Sequence, residues 1–97
     1  MSTAFNVIAT LIAKPGQQDT LEPLLRGLLE PTRAEAGCQQ YDLHQDLQHP
    51  ETFYMLERWN DDAALDAHDR SAHIQSFRTK AADVIEHFEL KRLKFLG

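Results

Sequence analysis

Residues 52–77 read TFYMLERWNDDAALDAHDRSAHIQSF, and this stretch decides the fold. Its first eight residues are apolar on both alternating sets of positions, interrupted only by Glu57 and Arg58, and this pattern predicts a strand whose two faces are both covered. Asn60-Asp61-Asp62 then supplies an N-cap side chain and carboxylates for the start of a helix. Ser71 can cap a second helical segment, so the stretch predicts a strand followed by an interrupted helix.

Two strands and a helix are predicted before this stretch. Residues 4–13, AFNVIATLIA, are apolar and rich in β-branched types, which predicts strand one. Leucines at 21, 24, 25, 28 and 29 recur at helical spacing and predict a helix, which Pro31 is expected to kink or end near Glu30. Residues 38–46 place apolar side chains on one side and polar ones on the other, which predicts strand two.

The C-terminal part of the chain is predicted to hold the second helical segment and a last strand. An apolar stripe at helical spacing continues from Ser71 to Phe88, which extends the helix to about that residue. Residues 89–96 mix apolar and charged side chains and predict strand four. The order β-α-β-β-α-β is that of the ferredoxin-like α+β sandwich, in which strands one and three are central, and 1–97 is expected to be one domain.

The two central strands predict a second copy of the chain. Both are apolar on both sets of alternating positions, but two helices can cover only one face of the sheet. The simplest closed solution for the other face is the sheet of a twofold-related copy. We therefore expect a homodimer in which the two sheets pack together as a dimeric αβ barrel.

Composition excludes several classes of protein. With 97 residues, 42% apolar and 26% charged, the chain is long enough for one core and has ordinary globular composition. A formal net charge of -5 leaves no basic surface for nucleic acid. The N-terminal apolar run is too short to span a bilayer and Cys38 is the single cysteine, so we expect a cytoplasmic protein without a membrane partner.

Three ionisable side chains of the quoted stretch stand at positions where chemistry is possible. Glu57 alternates with large apolar residues, so it is either a buried acid satisfied by an arginine, a helix end or a dimer contact, or the support of a histidine beside a pocket. His68 shares the inward side of its helix with Leu65, and His73 lies four residues before Phe77 at the edge of the stripe. Each histidine is either a satisfied core residue or a base.

Other candidate residues carry less specific signals. Asn6 interrupts strand one and either hydrogen-bonds a ligand or satisfies an edge, and Trp59 is expected in the core with its indole N–H to place. No metal is expected, because the step from His68 to His73 rotates by about 140° on one helix and separates the rings, unless a break near Ser71 brings them together. Scattered glycines exclude a phosphate-binding loop.

The chain resembles the antibiotic-biosynthesis monooxygenase (ABM) family of small dimeric ferredoxin-like proteins. The resemblance is densest in FYMLERWNDDAALDAHDRSAHIQSF, which is similar to the family pattern of an aromatic residue, a Glu, one residue, a Trp and then a helix with two histidines and a Phe. It extends through EPTRAEAGCQQYDLHQD and covers nearly the whole chain. The resemblance implies a dimer of αβ sandwiches with a pocket between sheet and helices.

The resemblance further implies an enzyme that needs no cofactor and oxidises a small aromatic quinol or phenol with dioxygen. A base in an apolar, water-poor pocket deprotonates the substrate, which then reduces dioxygen itself. On this interpretation His68 or His73 is the base and Glu57 sets its tautomer and charge. The residues that line the pocket and bind substrate are then Asn6, Trp59 and Phe77.

Other members of the family suggest alternatives. The haem-degrading members use an Asn on strand one with a Trp and a His on the second helix, whereas here His68 and Arg78 stand at the corresponding helix positions. An isomerase of a phosphorylated signalling sugar would need phosphate-binding groups, for which Arg58, Arg70 and Arg78 are the candidates. In a non-catalytic ligand-binding or stress-associated module, the histidines would be packing residues and Glu57 part of a structural ion pair.

Overall fold

The computed structural model describes residues 3–97, and within that range the chain forms one four-stranded antiparallel sheet and four helices. The sheet order is β2-β3-β1-β4, so the first and third strands are central, as predicted. This is the α+β, ferredoxin-like arrangement that the sequence indicates. The elements in chain order are β1 Phe5–Ala13, α1 Gln18–Arg26, α2 Leu29–Arg33, β2 Cys38–Gln45, β3 Thr52–Trp59, α3 Asp62–Asp69, α4 Ala72–Ala81 and β4 Ile85–Leu93.

The two central strands bury one face completely and leave the other half-buried. Burial alternates along β1 and β3, and the antiparallel register sets Val7 opposite Glu57 and Ala9 opposite Met55 on the buried face. Side chains on this face form much of the core, and the helices pack over them. Side chains of the opposite face, among them Ile8, are only partly buried within one chain.

The helix of the first half is interrupted earlier than predicted. α1 ends at Arg26 and α2 begins at Leu29, so the break falls at Gly27 and Leu28 rather than near Glu30. Pro31 consequently lies in the first turn of α2, where its missing N–H leaves no helical hydrogen bond unmade. The predicted interruption is confirmed. Pro31 fits inside α2 because the first turn of a helix tolerates proline.

The predicted boundary between the last helix and the last strand was wrong. α4 ends at Ala81, and β4 already begins at Ile85 instead of at residue 89. A register shift between Ile12 and Ala13 pairs Ile85 with Ala13 and Phe88 with Leu11. Two β4 residues three positions apart therefore point to the same face, which imitates helical spacing. The early start of β4 lets it hydrogen-bond to the backbone N–H and C=O groups along the edge of β1, which a longer α4 would leave without partners.

Two predicted caps separate α3 from the strand before it and α4 from α3. The Asp61 side chain accepts from the backbone N–H of Ala64 at 2.8 Å, and the Ser71 side chain accepts from the backbone N–H of Ile74 at 3.4 Å. The second cap confirms that the helical stretch is interrupted at Ser71. Between residues 3 and 97, no helix is long and apolar enough to cross a membrane.

The start of β2 packs directly on α3, and this contact gives a test of the helix position. A Cβ added at Gly37 would lie 2.2 Å from the Cβ of Ala64. We expect Gly37→Ala to lower the free energy of unfolding by about 1–3 kcal/mol, because overpacking must displace α3. Urea unfolding followed by circular dichroism measures this change.

The control for this prediction is Gly27→Ala. A Cβ there would meet only two backbone oxygens at 3.5 Å, and the backbone at Gly27 has helical angles. We expect this variant to be as stable as the wild type or more stable by up to about 1 kcal/mol. Equal stability of the two variants would contradict the close packing of β2 on α3.

Candidate active site

A cavity of about 330 Å³ lies between the helices and the buried face of the sheet. Apolar side chains from both layers form most of its wall, and five ionisable or polar groups interrupt them. A mostly apolar cavity with a few convergent polar groups is the usual form of a small-molecule site. Its polar wall residues are Tyr41, Glu57, His68, Asp69 and Arg78, and the apolar ones include Met55, Ile74, Phe77, Phe88 and Leu90.

Glu57 presents a carboxyl group to this cavity from the centre of the sheet. Only 4% of the residue is exposed, and one of its oxygens accepts a hydrogen bond of 2.9 Å from the indole N–H of Trp59. Burial raises the pKa of Glu57 to about 7 against the opposing effect of that hydrogen bond, and the negative charges of Asp69 and Glu35 raise it further. The carboxyl group can therefore both donate and accept a proton near neutral pH.

His68 lines the same cavity as Glu57 and is held in place by aromatic contacts. Its ring centroid lies 4.6 Å from that of Trp59 and 5.4 Å from that of Tyr41, and 4% of the residue is exposed. Burial raises the pKa of Tyr41 far above its ordinary value, and the charge of Glu57 adds to the effect, so this phenol stays neutral. Tyr41 and His68 line the polar end of the cavity, and Trp59 packs against both rings.

Glu35 fixes the orientation of His68 and of a second imidazole. Its Oε2 lies 2.7 Å from His68 Nδ1 and 3.0 Å from His73 Nε2. An ionised carboxylate only accepts hydrogen bonds, so each of these ring nitrogens donates. Neutral His68 then carries its hydrogen on Nδ1 and has a lone pair on Nε2.

Nε2 of His68 is the ring nitrogen that Glu35 does not hold. Among residues 3–97, Thr32 Oγ1 is the one fully buried side-chain polar atom without a good hydrogen bond, although the Tyr41 hydroxyl is close enough to interact with it. His68 Nε2 makes no hydrogen bond to these residues and is not fully enclosed. His68 is a cavity-lining residue, so a molecule bound in the cavity would lie next to its ring.

The structure brings some of the predicted site residues together and separates others. Glu57, His68 and Phe77 line the cavity, whereas Trp59 lies behind its wall as a fully buried support for Glu57. His73 contacts Glu35 outside the cavity lining. The acid that contacts both imidazoles is Glu35, so the predicted support of a histidine by Glu57 was wrong.

Asn6 lies on the opposite face of the sheet from the cavity. It pairs across the sheet with Arg58, whose guanidinium donates a 3.0 Å hydrogen bond to its side-chain oxygen. Arg58 also donates to Gln39 at 2.9 Å. The predicted placement of Asn6 in the pocket wall was therefore wrong, because the register sets its neighbour Val7 opposite Glu57.

Glu35 and Tyr41 were missed as site residues. Glu35 lies in the connection between α2 and β2 and is far from both histidines in sequence, so no local spacing marks it. The alternation of β2 does assign Tyr41 to the side of Leu43, and its pairing with Glu57 then places it at the cavity. The sequence would have identified Tyr41 as a site residue if the pairing of β2 with β3 had been known.

The fold and this cavity are those of a known class of small αβ proteins. A family model described as antibiotic biosynthesis monooxygenase matches residues 4–80. The chain belongs to this family, as its sequence pattern predicts.

Individual relatives agree with this assignment over most of their length. A crystal structure of PA3566 from Pseudomonas aeruginosa superimposes with a TM-score of 0.95 at 44% identity and covers 100% of this chain and 98% of that one. A Bacillus subtilis protein named "Putative monooxygenase YcnE" is 35% identical over 79% of this chain and 81% of its own. A Mycobacterium tuberculosis protein named "Putative monooxygenase Rv0793" is 33% identical over 88% of this chain and 83% of its own.

The raised pKa of Glu57 predicts a particular dependence of stability on pH. The folded protein holds this proton up to a pKa of about 7, above the ordinary value of 4.5, so its stabilising effect is complete below pH 4.5 and is lost as the pH rises through 7. One pKa unit corresponds to about 1.4 kcal/mol, so the loss is roughly 3 kcal/mol. We expect Glu57→Gln to remove this loss of stability at high pH, and its amide oxygen can still accept the hydrogen bond from Trp59.

Urea unfolding at several pH values between 4.5 and 8.5 measures the decline. Glu86→Gln is the control, because Glu86 is an exposed carboxylate on β4, and it should keep the wild-type slope. If Glu57→Gln and the wild type lose stability in parallel, Glu57 does not hold its proton in the folded state.

Proposed function

We propose that the protein is a monooxygenase that oxidises a small aromatic quinol or phenol with dioxygen and needs no cofactor. The observation that carries this proposal is a cavity-lining histidine whose Nδ1 is held by Glu35 and whose Nε2 has no hydrogen-bond partner among residues 3–97. Membership of the family and the names of the two relatives support a monooxygenase-type activity. The residues supply a base and shelter from water, which is what such a reaction requires of a protein.

His68 is the proposed base. Its Nε2 takes the proton of a substrate hydroxyl, and the resulting phenolate transfers electrons to dioxygen far more easily than the neutral phenol does. For a quinol, one oxygen atom enters the ring as a hydroxyl group and the other leaves as water, while the quinol becomes a quinone. Oxidation of the ring C–H and of the quinol supplies all four electrons, so no other reductant is needed.

The other site residues have supporting roles in this proposal. Glu57 contacts a substrate hydroxyl as a donor or acceptor, since its pKa of about 7 allows both. Phe77 and its apolar neighbours hold the ring and exclude water. His73 supports Glu35, and Trp59 holds Glu57 in place.

The isomerase alternative has less support from the positions of the arginines. Arg58 faces away from the cavity, and Arg78 lies at its wall with its guanidinium near the Asp69 carboxylate and 3.3 Å from the Asp69 carbonyl oxygen. A buried carboxyl group and an acid-paired arginine make a poor receptor for a phosphate.

Replacement of the base tests the proposal. We expect His68→Gln to lower the rate of oxygen uptake with an accepted quinol by about 100-fold or more, because a general base contributes roughly 10²–10⁴-fold. An oxygen electrode with a panel of quinols, phenols and flavonoids gives the rates, and circular dichroism verifies the fold. Phe77→Ala should raise KM more than it lowers kcat.

His44→Gln is the matched control for this experiment. His44 is an exposed histidine on β2 outside the cavity, so its replacement should leave oxygen uptake unchanged. Wild-type rates in both His68→Gln and the double variant His68→Gln/His73→Gln would refute an imidazole base.

We further propose that the protein works as a homodimer through the open face of its sheet. Ile8 and Leu56 pair across the two central strands on the face that carries no helices, where both remain partly exposed within one chain. Apolar side chains at the centre of an uncovered sheet face favour burial against a second copy. A cytoplasmic location, with no nucleic acid or membrane as partner, stays a prediction from composition.

A charge at the centre of that face should weaken the dimer. We expect Leu56→Arg to raise the dimer dissociation constant by at least tenfold, because it buries an unpaired charge. Sedimentation velocity across micromolar concentrations measures the change. Leu47→Arg is the control, since Leu47 is fully exposed in the connection between β2 and β3. A wild-type monomer at these concentrations would end the proposal.

A further inference from the structure

Three side chains from three separate segments converge beside the cavity. Glu35 comes from the connection between α2 and β2, His68 from α3 and His73 from α4. One carboxylate oxygen and two ring nitrogens, which are all possible metal ligands, lie within 4.8 Å of one another. The Glu35, His68 and His73 side chains are 18%, 6% and 23% exposed, so the cluster is shielded but reachable from solvent.

The break between the two helices makes this convergence possible. On one continuous helix, positions five apart differ by about 140°, and this was the reason to expect no metal site. Here α3 ends at Asp69 and α4 starts at Ala72, and the capping Ser71 redirects the chain. The ring centroids of His68 and His73 are consequently only 6.0 Å apart.

We propose that Glu35, His68 and His73 form a binding site for a divalent transition metal of the zinc class. Two imidazoles and a carboxylate are the donor set of many zinc and cobalt sites, whereas Mg²⁺ and Ca²⁺ prefer oxygen ligands alone. The ligand atoms would be His68 Nδ1, His73 Nε2 and Glu35 Oε2. Water would take the remaining coordination position, as in other sites with three protein ligands.

The distances already resemble those of a coordination sphere. Metal–ligand bonds of about 2.0–2.1 Å with tetrahedral angles separate ligand atoms by about 3.3 Å. Glu35 Oε2 lies 2.7 and 3.0 Å from the two nitrogens, and the nitrogens lie within 4.8 Å of each other. Shifts of a few tenths of an ångström at the oxygen, and a closer approach of the two imidazoles, would admit the ion.

Metal binding would replace the two hydrogen bonds to Glu35 with three coordinate bonds, one from each residue. Without metal, both imidazoles donate N–H groups to the same oxygen, so both ligand nitrogens carry hydrogens. With metal, each neutral ring moves its hydrogen to the other nitrogen, which is Nε2 in His68 and Nδ1 in His73. If the proposed function holds, the metal-bound protein is inactive, because His68 Nε2 can no longer accept a proton from substrate.

Direct binding measurements test this site without reference to activity. The untagged full chain, treated with EDTA and dialysed, is titrated with Co²⁺ and with Zn²⁺ and followed by the visible absorption of Co²⁺ and by calorimetry. We expect one ion per chain, with absorption bands of a nitrogen- and oxygen-ligated site. His73→Gln should weaken binding by at least tenfold, since even a lost second-shell partner costs 10–100-fold.

Control measurements keep the inference falsifiable if a variant is unstable. His44→Gln removes an exposed histidine outside the cluster and should bind as the wild type does. Long-range ¹H–¹⁵N spectra of the wild type alone should show the His68 and His73 ring resonances shifting with one equivalent of Zn²⁺. No saturable uptake by the wild type, unchanged ring resonances, or equal affinity of a folded His73→Gln would each overturn the proposal.

Discussion

The pairing of β1 with β3 at the centre of the sheet is the constraint on which the rest of the structure depends. Both strands are apolar on both alternating sets, and the helices of the chain cover one side of them only. The register of this pair sets Val7 opposite Glu57 and so decides which face is closed by the helices. Ala9, a small residue of β1, lies on that face and forms part of the cavity wall.

Glu57 shows how an acid is tolerated in this core. Burying a carboxylate without partners costs several kcal/mol, and in practice such a group keeps its proton instead. Here one oxygen of Glu57 accepts a hydrogen bond from Trp59. This bond offsets only part of the cost of burying the charge, so the pKa of the carboxyl group is raised to about 7. The acid that the sequence places among large apolar residues is therefore a group that exchanges protons near neutral pH, which a surface carboxylate is not.

Features with local causes could be predicted from the sequence, and features with distant causes could not. The caps at Asp61 and Ser71 depend on three or four neighbouring residues and were predicted correctly. The early start of β4 depends on a register shift opposite Ile12, which no local pattern reveals.

The site was predicted in part for the same reason. Alternation along β3 assigns Glu57 to the same face as Met55. Both faces of β1 are apolar, so the sequence does not show which face of β1 lies on the same side of the sheet as Glu57, and Asn6 was placed on the wrong side. Glu35 reaches His68 across 33 positions of sequence, and only the folded chain brings the two together. The acid that is close to His68 in sequence was therefore assigned the role that a distant acid, Glu35, has in the folded chain.

The shared oxygen of Glu35 gives the two proposals a common physical origin. A carboxylate that accepts from His68 Nδ1 leaves a lone pair on His68 Nε2, and in the proposed reaction this lone pair takes the proton of the substrate. The same oxygen, with His68 Nδ1 and His73 Nε2, presents three donor atoms to a metal ion once the two hydrogens move. Base and metal ligand are alternative states of one ring, because His68 has one N–H hydrogen in its neutral form and two nitrogens to carry it. In the proposed catalytic state that hydrogen lies on Nδ1 and in the proposed metal-bound state it lies on Nε2, so one molecule cannot be in both states at once.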